Sequence, residues 1–297
     1  MEKILITGAN GFLGKLIFNK LSNVNILFSL SRTSGDYIIS LENKVPVFNQ
    51  DFTLVIHAAG KAHFVPKTDD EKRQFHEVNV VGTENLLKGL EKVGVPKQFV
   101  FISSVSVYGL ESGTQIVEEH KLEAKDAYGL SKIQAEELVT KWCIRHNVVC
   151  TILRLPLLVG KCPPGNLGEM MKAIDKGCYF NIGGGKAKKS MVLAEDVAEF
   201  VPNVAKIGGV FNLTDGYNPS FLELSNEISK QKGKSNPLNL PIFLVKMLGY
   251  LGDLLGNKAP MNSIRLKKIT SDLTFDDSKA RKVAGWNPRN VLDWFGK

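Results

Sequence analysis

The sequence predicts an α/β protein: a doubly wound parallel sheet with a smaller C-terminal lobe. Three observations carry that expectation. The first half alternates short β-branched apolar runs with segments whose apolar residues recur at helical spacing. A glycine-rich turn, "TGANGFLG", closes the first of those runs and opens the first helical segment. From about Gly160 the rhythm changes: glycines and prolines crowd "GKCPPGNLGE", and mainly helical patterns follow, with short strands such as "SMVLA" and "GVFNLT". Strands that alternate with helices imply parallel strands joined by right-handed crossovers. The expected division is 1–160 for the sheet domain and 161–297 for the lobe, with a strand and a helix of the second part returning to the main sheet.

"KILITG" is the first strand, and Gly8, Gly11 and Gly14 follow at its C-terminal end. Glycine lets the chain turn tightly and lets a pyrophosphate approach the backbone at a helix N-terminus, so this turn reads as a dinucleotide site. "GFLGKLIFNKLS" is the helix it opens, and "NILFSLS" the second strand. After that strand a dinucleotide site reads the adenosine ribose, with an acid for a 2′-hydroxyl or an arginine for a 2′-phosphate. The chain offers Ser31 and Arg32 and no acid before Asp36, which favours NADP over NAD. "TLVIHAAG" is a further strand. "EKRQFHEVNVVGTENLLKGLEKVG" is a long helix closed by Gly94, with Pro96 just beyond.

"QFVFISS" is the next strand, and it delivers Ser103, Ser104 and Ser106 to a C-terminal strand edge. Ligands of doubly wound sheets bind beyond such edges. The helix after it begins "DAYGLSKIQAEEL". Tyr128 and Lys132 stand four residues apart in it, about one turn, and so share a face. An ammonium there stabilises a phenolate and makes the phenol easier to ionise. A serine hydroxyl nearby can hydrogen-bond a substrate oxygen that the tyrosine protonates or deprotonates. "VVCTILRLP" closes the series of strands.

Composition narrows the classes. Hydrophobic residues make up 43% of the 297, enough for a full core, and charged residues 23%. The four cysteines form no CxxC pair and the five histidines no HxxxH, so neither a metal site nor a disulfide framework is expected. No secretory pattern precedes "KILITG" and no run reaches the length of a membrane span, so the expected location is cytoplasmic. The longest apolar segment, 240–256, is interrupted by Lys246 and Asp253. It reads as a buried or amphipathic helix of the lobe, with a membrane-surface helix as the alternative. The net charge of +8 gathers partly in "GGGKAKKS" and "RLKK". Without aromatic interleaving these patches do not read as a nucleic-acid site; a phosphorylated small substrate accounts for them as well.

Taken together, "TGANGFLG", "VIHAAG", "NVVGTENLL", "FISSVSVYG", "YGLSK" and "LTFDDSKARKVAGWNPR" resemble the extended short-chain dehydrogenase/reductases, in particular their nucleotide-sugar epimerase/dehydratase group. The likeness runs nearly end to end. It implies a Rossmann fold and an NAD(P)-dependent enzyme acting at C4 of a nucleoside diphosphate sugar, UDP-linked, by 4-epimerisation or 4-keto reduction. It implies catalytic roles for Tyr128 as acid/base, Lys132 beside it, and Ser104 orienting the sugar oxygen. Cofactor contacts would come from Gly8, Asn10, Gly11, Phe12, Leu13, Gly14, Arg32, Leu41, Ala58, Ala59, Gly60, Asn79, Leu155 and Leu157, besides Tyr128 and Lys132. Substrate contacts would come from Ser106, Asn166 and Lys189. The resemblance also implies pairing of two copies through the helices near 71–93 and 126–146. Val105 and Ser106 stand where the sugar 4,6-dehydratases carry acids, so dehydration is not expected. Two alternatives remain beside this reading: an NADP-dependent carbonyl reductase of a non-sugar substrate, and a non-catalytic dinucleotide-binding scaffold or redox sensor.

Overall fold

A computed structural model describes residues 1–62, 64–247 and 263–296. Its centre is a seven-stranded sheet, all parallel. In chain order the strands begin with β1 (Lys3–Thr7), β2 (Ile26–Ser31), β3 (Tyr37–Ile38), β4 (Leu54–His57) and β5 (Gln98–Ser104). The short β6 (Gly113–Ile116) lies apart; β7 (Val149–Leu155) returns to the sheet. Next come β8 (Leu157–Val159), β9 (Phe180–Ile182), β10 (Met191–Leu193) and β11 (Gly209–Asn212), then β12 (Leu238–Leu240) and β13 (Leu273–Phe275). The main sheet runs β11-β7-β5-β4-β1-β2-β3. The chain therefore reverses its direction of winding between β1 and β4, and ligands of such sheets bind at that point.

Both faces of the sheet are covered, which is why its strands are apolar throughout rather than alternating. Ile4 and Ile6 face one side and meet Ile17 of α1 (Phe12–Leu21) and Val197 and Val201 of α6 (Ala194–Val204). Leu5, Val55 and Phe99 face the other. There they meet Leu86 of α3 (Gly82–Val93) and Val139 and Trp142 of α4 (Ala127–His146). The second half contributes β11 and α6 to this layer. Its remainder packs α5 (Gly165–Asp175) and α7 (Phe221–Gln231) around a separate core that includes Val159, Leu167, Leu224 and Phe295. Three two-stranded parallel pairs, β8–β10, β9–β12 and β6–β13, fasten that part together.

Two elements differ from the sequence expectation. The strand foreseen in "TLVIHAAG" stops at His57, because Ala58 and Ala59 leave the sheet to pack on the backbone of Gly8. The long helix foreseen from 71 to 94 is continuous but not uniform. It consists of α2 (Asp69–His76), one π-helical turn (Glu77–Val81) and α3. Thr68 and Glu71 start it with a reciprocal capping box. The π turn carries Asn79, and such turns gather at functional positions. Of the apolar segment 240–256, the residues from 248 onward lie outside the described residues. Among the described residues no helix is long and apolar enough to cross a membrane.

Candidate active site

Two adjoining cavities open where β1 and β4 part, one of about 480 Å³ and one of about 530 Å³. Gly8, Gly11, Ala58 and Gly60 line both. The glycine turn explains the shape. Gly8 sits at φ +71°, and a Cβ there would lie 2.7 Å from the Ala59 nitrogen. A Cβ on Gly14 would lie 2.1 Å from the Gly8 oxygen, so the start of α1 can pack on the turn only without a side chain. No side chain caps α1, which leaves its first N–H groups open at the cavity rim. An uncapped helix N-terminus behind a bare backbone turn suits a pyrophosphate.

The larger cavity is bounded by Asn10, Arg32, Leu41, Ala59 and Glu77. Asn10 donates to Ser31 Oγ at 2.8 Å and to Ser34, which shapes the loop after β2. Asp36, the nearest acid in sequence, folds back to accept from the Ser29 amide at 2.8 Å and the Ser29 hydroxyl at 2.7 Å. Arg32 is exposed on the rim and makes no ion pair among the described residues.

The smaller cavity is bounded by Phe12, Leu13, Gly14, Ser104, Ser106, Tyr128, Lys132, Leu155 and Leu157. Lys132 is buried. Its ammonium donates to the Ile102 carbonyl at 2.8 Å and lies 4.6 Å from the Phe101 ring centroid. Burial lowers its pKa to about 8, with Glu136 opposing. Tyr128 packs its ring 5.9 Å from that of Phe75. Burial pushes its phenol up, a hydrogen bond with Ser104 pulls down, and the Asp126 carboxylate raises it further. Lys132 is not among the groups that shift the Tyr128 phenol. Desolvation dominates, and the ammonium is directed at a backbone carbonyl.

Asn79 lies behind the cavity wall rather than in it, 2% exposed. Its Oδ1 accepts from the Lys61 amide at 2.7 Å. Its Nδ2 donates to the Lys61 carbonyl at 3.1 Å and to Ser131 Oγ at 2.9 Å. Ser131 in turn donates to the Tyr128 carbonyl at 2.7 Å. Asn79 thus ties the loop after β4 to the helix that carries Tyr128. Of the other expected residues, two are not brought to the cavities. Asn166 is exposed in the first turn of α5, although Pro164 just before it lines the wall. Lys189 is half-buried and donates to the Lys268 carbonyl at 2.9 Å. Its pKa is lowered to about 8 by burial and by Lys268.

Sequence reasoning missed His57. It is buried between two hydroxyls, with Nδ1 2.6 Å from Thr7 Oγ1 and Nε2 2.8 Å from Thr83 Oγ1. Thr83 donates to the Asn79 carbonyl at 2.7 Å, so it must accept from Nε2–H, and Nδ1 must accept from Thr7. Thr7 completes the chain by accepting from the Ala59 amide at 3.1 Å. Burial, then the Lys132 charge, lowers the His57 pKa to about 3, so the ring is neutral. A second network was also missed. Ser103 donates to Glu136, which pairs with Arg154 at 2.7 Å; Arg154 donates to the Tyr108 hydroxyl at 3.0 Å.

The family model described as "NAD dependent epimerase/dehydratase family" matches residues 4–212. A curated relative from Escherichia coli O157:H7, named N-acetyl-alpha-D-glucosaminyl-diphospho-ditrans,octacis-undecaprenol 4-epimerase, is 30% identical over 94% of this chain and 88% of its own length. A UDP-glucose 4-epimerase from Vibrio cholerae is 28% identical over 98% of this chain and 92% of its own. Among solved structures, RMD from Pseudomonas aeruginosa complexed with NADPH superimposes with a TM-score of 0.75. It is 19% identical and covers 99% of this chain and 97% of its own. That last likeness concerns the fold.

Proposed function

Since the chain belongs to the NAD dependent epimerase/dehydratase family, we propose that it inverts the configuration at C4 of a sugar carried on a diphosphate, with a UDP-linked sugar as the soluble form. One observation carries the reading: Tyr128, Ser104 and Lys132 converge on the cavity whose other wall is the Gly8–Gly14 turn. The residues present suit a nicotinamide dinucleotide. The turn and the uncapped start of α1 would hold the pyrophosphate, Arg32 a 2′-phosphate, Lys132 the nicotinamide ribose, and Leu155 and Leu157 the nicotinamide side. When bound, the dinucleotide would supply reversible hydride transfer at C4.

The protein's own residues manage the proton and the orientation. Tyr128 exchanges a proton with the C4 oxygen, and Ser104 hydrogen-bonds that oxygen. Ser106, on the same wall, is positioned for the neighbouring hydroxyl. The raised phenol makes Tyr128 a proton donor at rest. Its service as a base calls on positive charge brought near it on binding. Lys189 and Asn166 sit outside the cavities; we assign Lys189 to the diphosphate and Asn166 to the nucleotide. Two copies would pair through the helices near 71–93 and 126–146, and light scattering would read the mass of the pair.

A second reading, 4-keto reduction, is favoured by Arg32 alone, since a reductase draws on NADPH. Incubation with a UDP-sugar and a trace of cofactor separates the two. An epimerase accumulates the C4 epimer, seen by NMR, without net cofactor consumption; a reductase consumes NADPH mole for mole with a 4-keto sugar. Tyr128→Phe removes the hydroxyl and keeps the ring. It is expected to lower kcat by roughly 10²–10⁴ while cofactor binding survives. Unchanged turnover in Tyr128→Phe defeats the assignment.

A further inference from the structure

Among the described residues, one part of the lobe carries large apolar side chains that stay exposed. β9 and β12 pair with Phe180 opposite Leu238, and both side chains face solvent, 42% and 71% exposed. The chain then turns at Pro241. Phe243, 67% exposed, and Met247, 57% exposed, follow one helical turn apart, with Leu244 exposed beside them. Within 242–247 Val245 alone is buried, and Ile242, though exposed, lies against Gly183, so the segment touches the lobe while most of its large apolar side chains are left outside. Singly scattered apolar residues on a surface are ordinary, but five on the β9–β12 pair and the segment that directly follows it are a candidate interaction surface.

Among the described residues, the segments that carry these side chains also carry unpaired lysines. Lys176, Lys186, Lys234 and Lys246 are exposed and make no ion pair among the described residues. Two carboxylates of α5 and α7, Asp175 and Glu227, face Lys232 and Lys230. Apolar side chains set among lysines suit an interface of acyl chains beneath anionic headgroups. The patch is also within reach of the candidate active site. Pro164 lines the cavity, and α5, starting at the next residue, spans roughly 16 Å before the chain enters β9. The Escherichia coli relative, similar over 94% of this chain, is named for a sugar on a diphospho-undecaprenol, an amphiphile that resides in a bilayer.

We propose that Phe180, Leu238, Phe243, Leu244 and Met247, with the lysines around them, seat this protein on an anionic lipid bilayer, and that its physiological substrate is a polyprenyl diphosphate sugar held there. The proposal rests on the C4 reading above and replaces the soluble carrier with a lipid one. The patch positions the cavity at the headgroup level, where the diphosphate and sugar stand clear of the apolar interior.

Flotation with vesicles of phosphatidylglycerol and phosphatidylethanolamine tests the surface. Wild type is expected to float with them, and to do so less in high salt or with phosphatidylcholine alone. Phe243→Ser/Met247→Ser replaces two exposed side chains outside the cavity, and vesicle affinity is expected to fall about ten-fold or more. Turnover tests the substrate. The double variant should match wild type on a water-soluble, short-chain prenyl diphosphate N-acetylglucosamine. It should lose about ten-fold on the long-chain substrate held in vesicles. Absence of flotation, or flotation and vesicle turnover indifferent to the double variant, overturns the proposal. A change in oligomeric state caused by the variant also overturns it and assigns the patch to a second copy. If wild type epimerises none of the long-chain, short-chain or UDP-linked sugars, the C4 reading itself fails, while the flotation arm still reports on the surface.

Discussion

His57 shows what a single residue contributes to a site it does not line. Its neutral ring bridges β1 and α3 through two threonine hydroxyls and fixes the Ala59 amide beside the glycine turn. In the unfolded chain the same imidazole takes up a proton near 6.5; in the fold it resists until about 3. The unfolded state therefore binds more protons throughout that window, and stability falls as pH drops from 6.5 toward 3. The loss is about 1.4 kcal/mol per pH unit within the window. Urea midpoints at pH 7 and pH 4.5 are expected to separate widely in wild type and to draw together in His57→Gln, which cannot ionise. Equal separation in both proteins means that other groups govern acid unfolding. Tyr128, Lys132 and the three glycines were legible in the sequence because their meaning lies in short spacings. His57 was not, because its partners stand 50 and 26 residues away and nothing local distinguishes it from any buried histidine.

At the scale of elements, α4 matters most, because it carries Tyr128 and Lys132 and must be held at a fixed height over the sheet. Asp126 caps its start through the Gly129 amide. Deeper in the helix, Glu136 and Arg154 join α4 to β7 in an ion pair whose side chains are 5% and 6% exposed. Removing one partner leaves the other charge buried alone. Glu136→Ala is therefore expected to cost about 3–5 kcal/mol, whereas exchanging both partners for apolar residues of similar volume should cost much less. Thermal melts of the single and double variants check this; a harmless Glu136→Ala would show that the pair does not hold the helix. The strands and most helices were readable from period and β-branching. The π turn was not, because "HEVNVVG" has an ordinary helical pattern. The turn carries the buried Asn79, whose partners, Lys61 and Ser131, come from other elements.

For the molecule as a whole, the choice of cofactor is a property of the loop after β2 acting with the glycine turn. Asp36 is spent on Ser29, and on the cavity rim Arg32 and Glu42 make no ion pair among the described residues. NADP(H) is expected to bind more tightly than NAD(H), and Arg32→Asp to reverse the order. Fluorescence titration of both cofactors against both proteins decides it, and tighter NAD(H) binding by wild type refutes the role given to Arg32. The sheet that supports this cleft also has a history written in its strand order. β1 to β5 are complete by residue 104 and lie together as β3-β2-β1-β4-β5, while β7 and then β11 add on one side. No strand has to be inserted between two that are already paired. A chain emerging from the ribosome can therefore build the glycine turn and the His57 bridge first and carry its unpaired edge outward as synthesis proceeds. Growth stops with β3, two residues long, at one margin and β11, four residues long, at the other. Strands that short offer little template to a neighbouring nascent chain. The order that assembles the cleft thus also limits the sheet's capacity to aggregate.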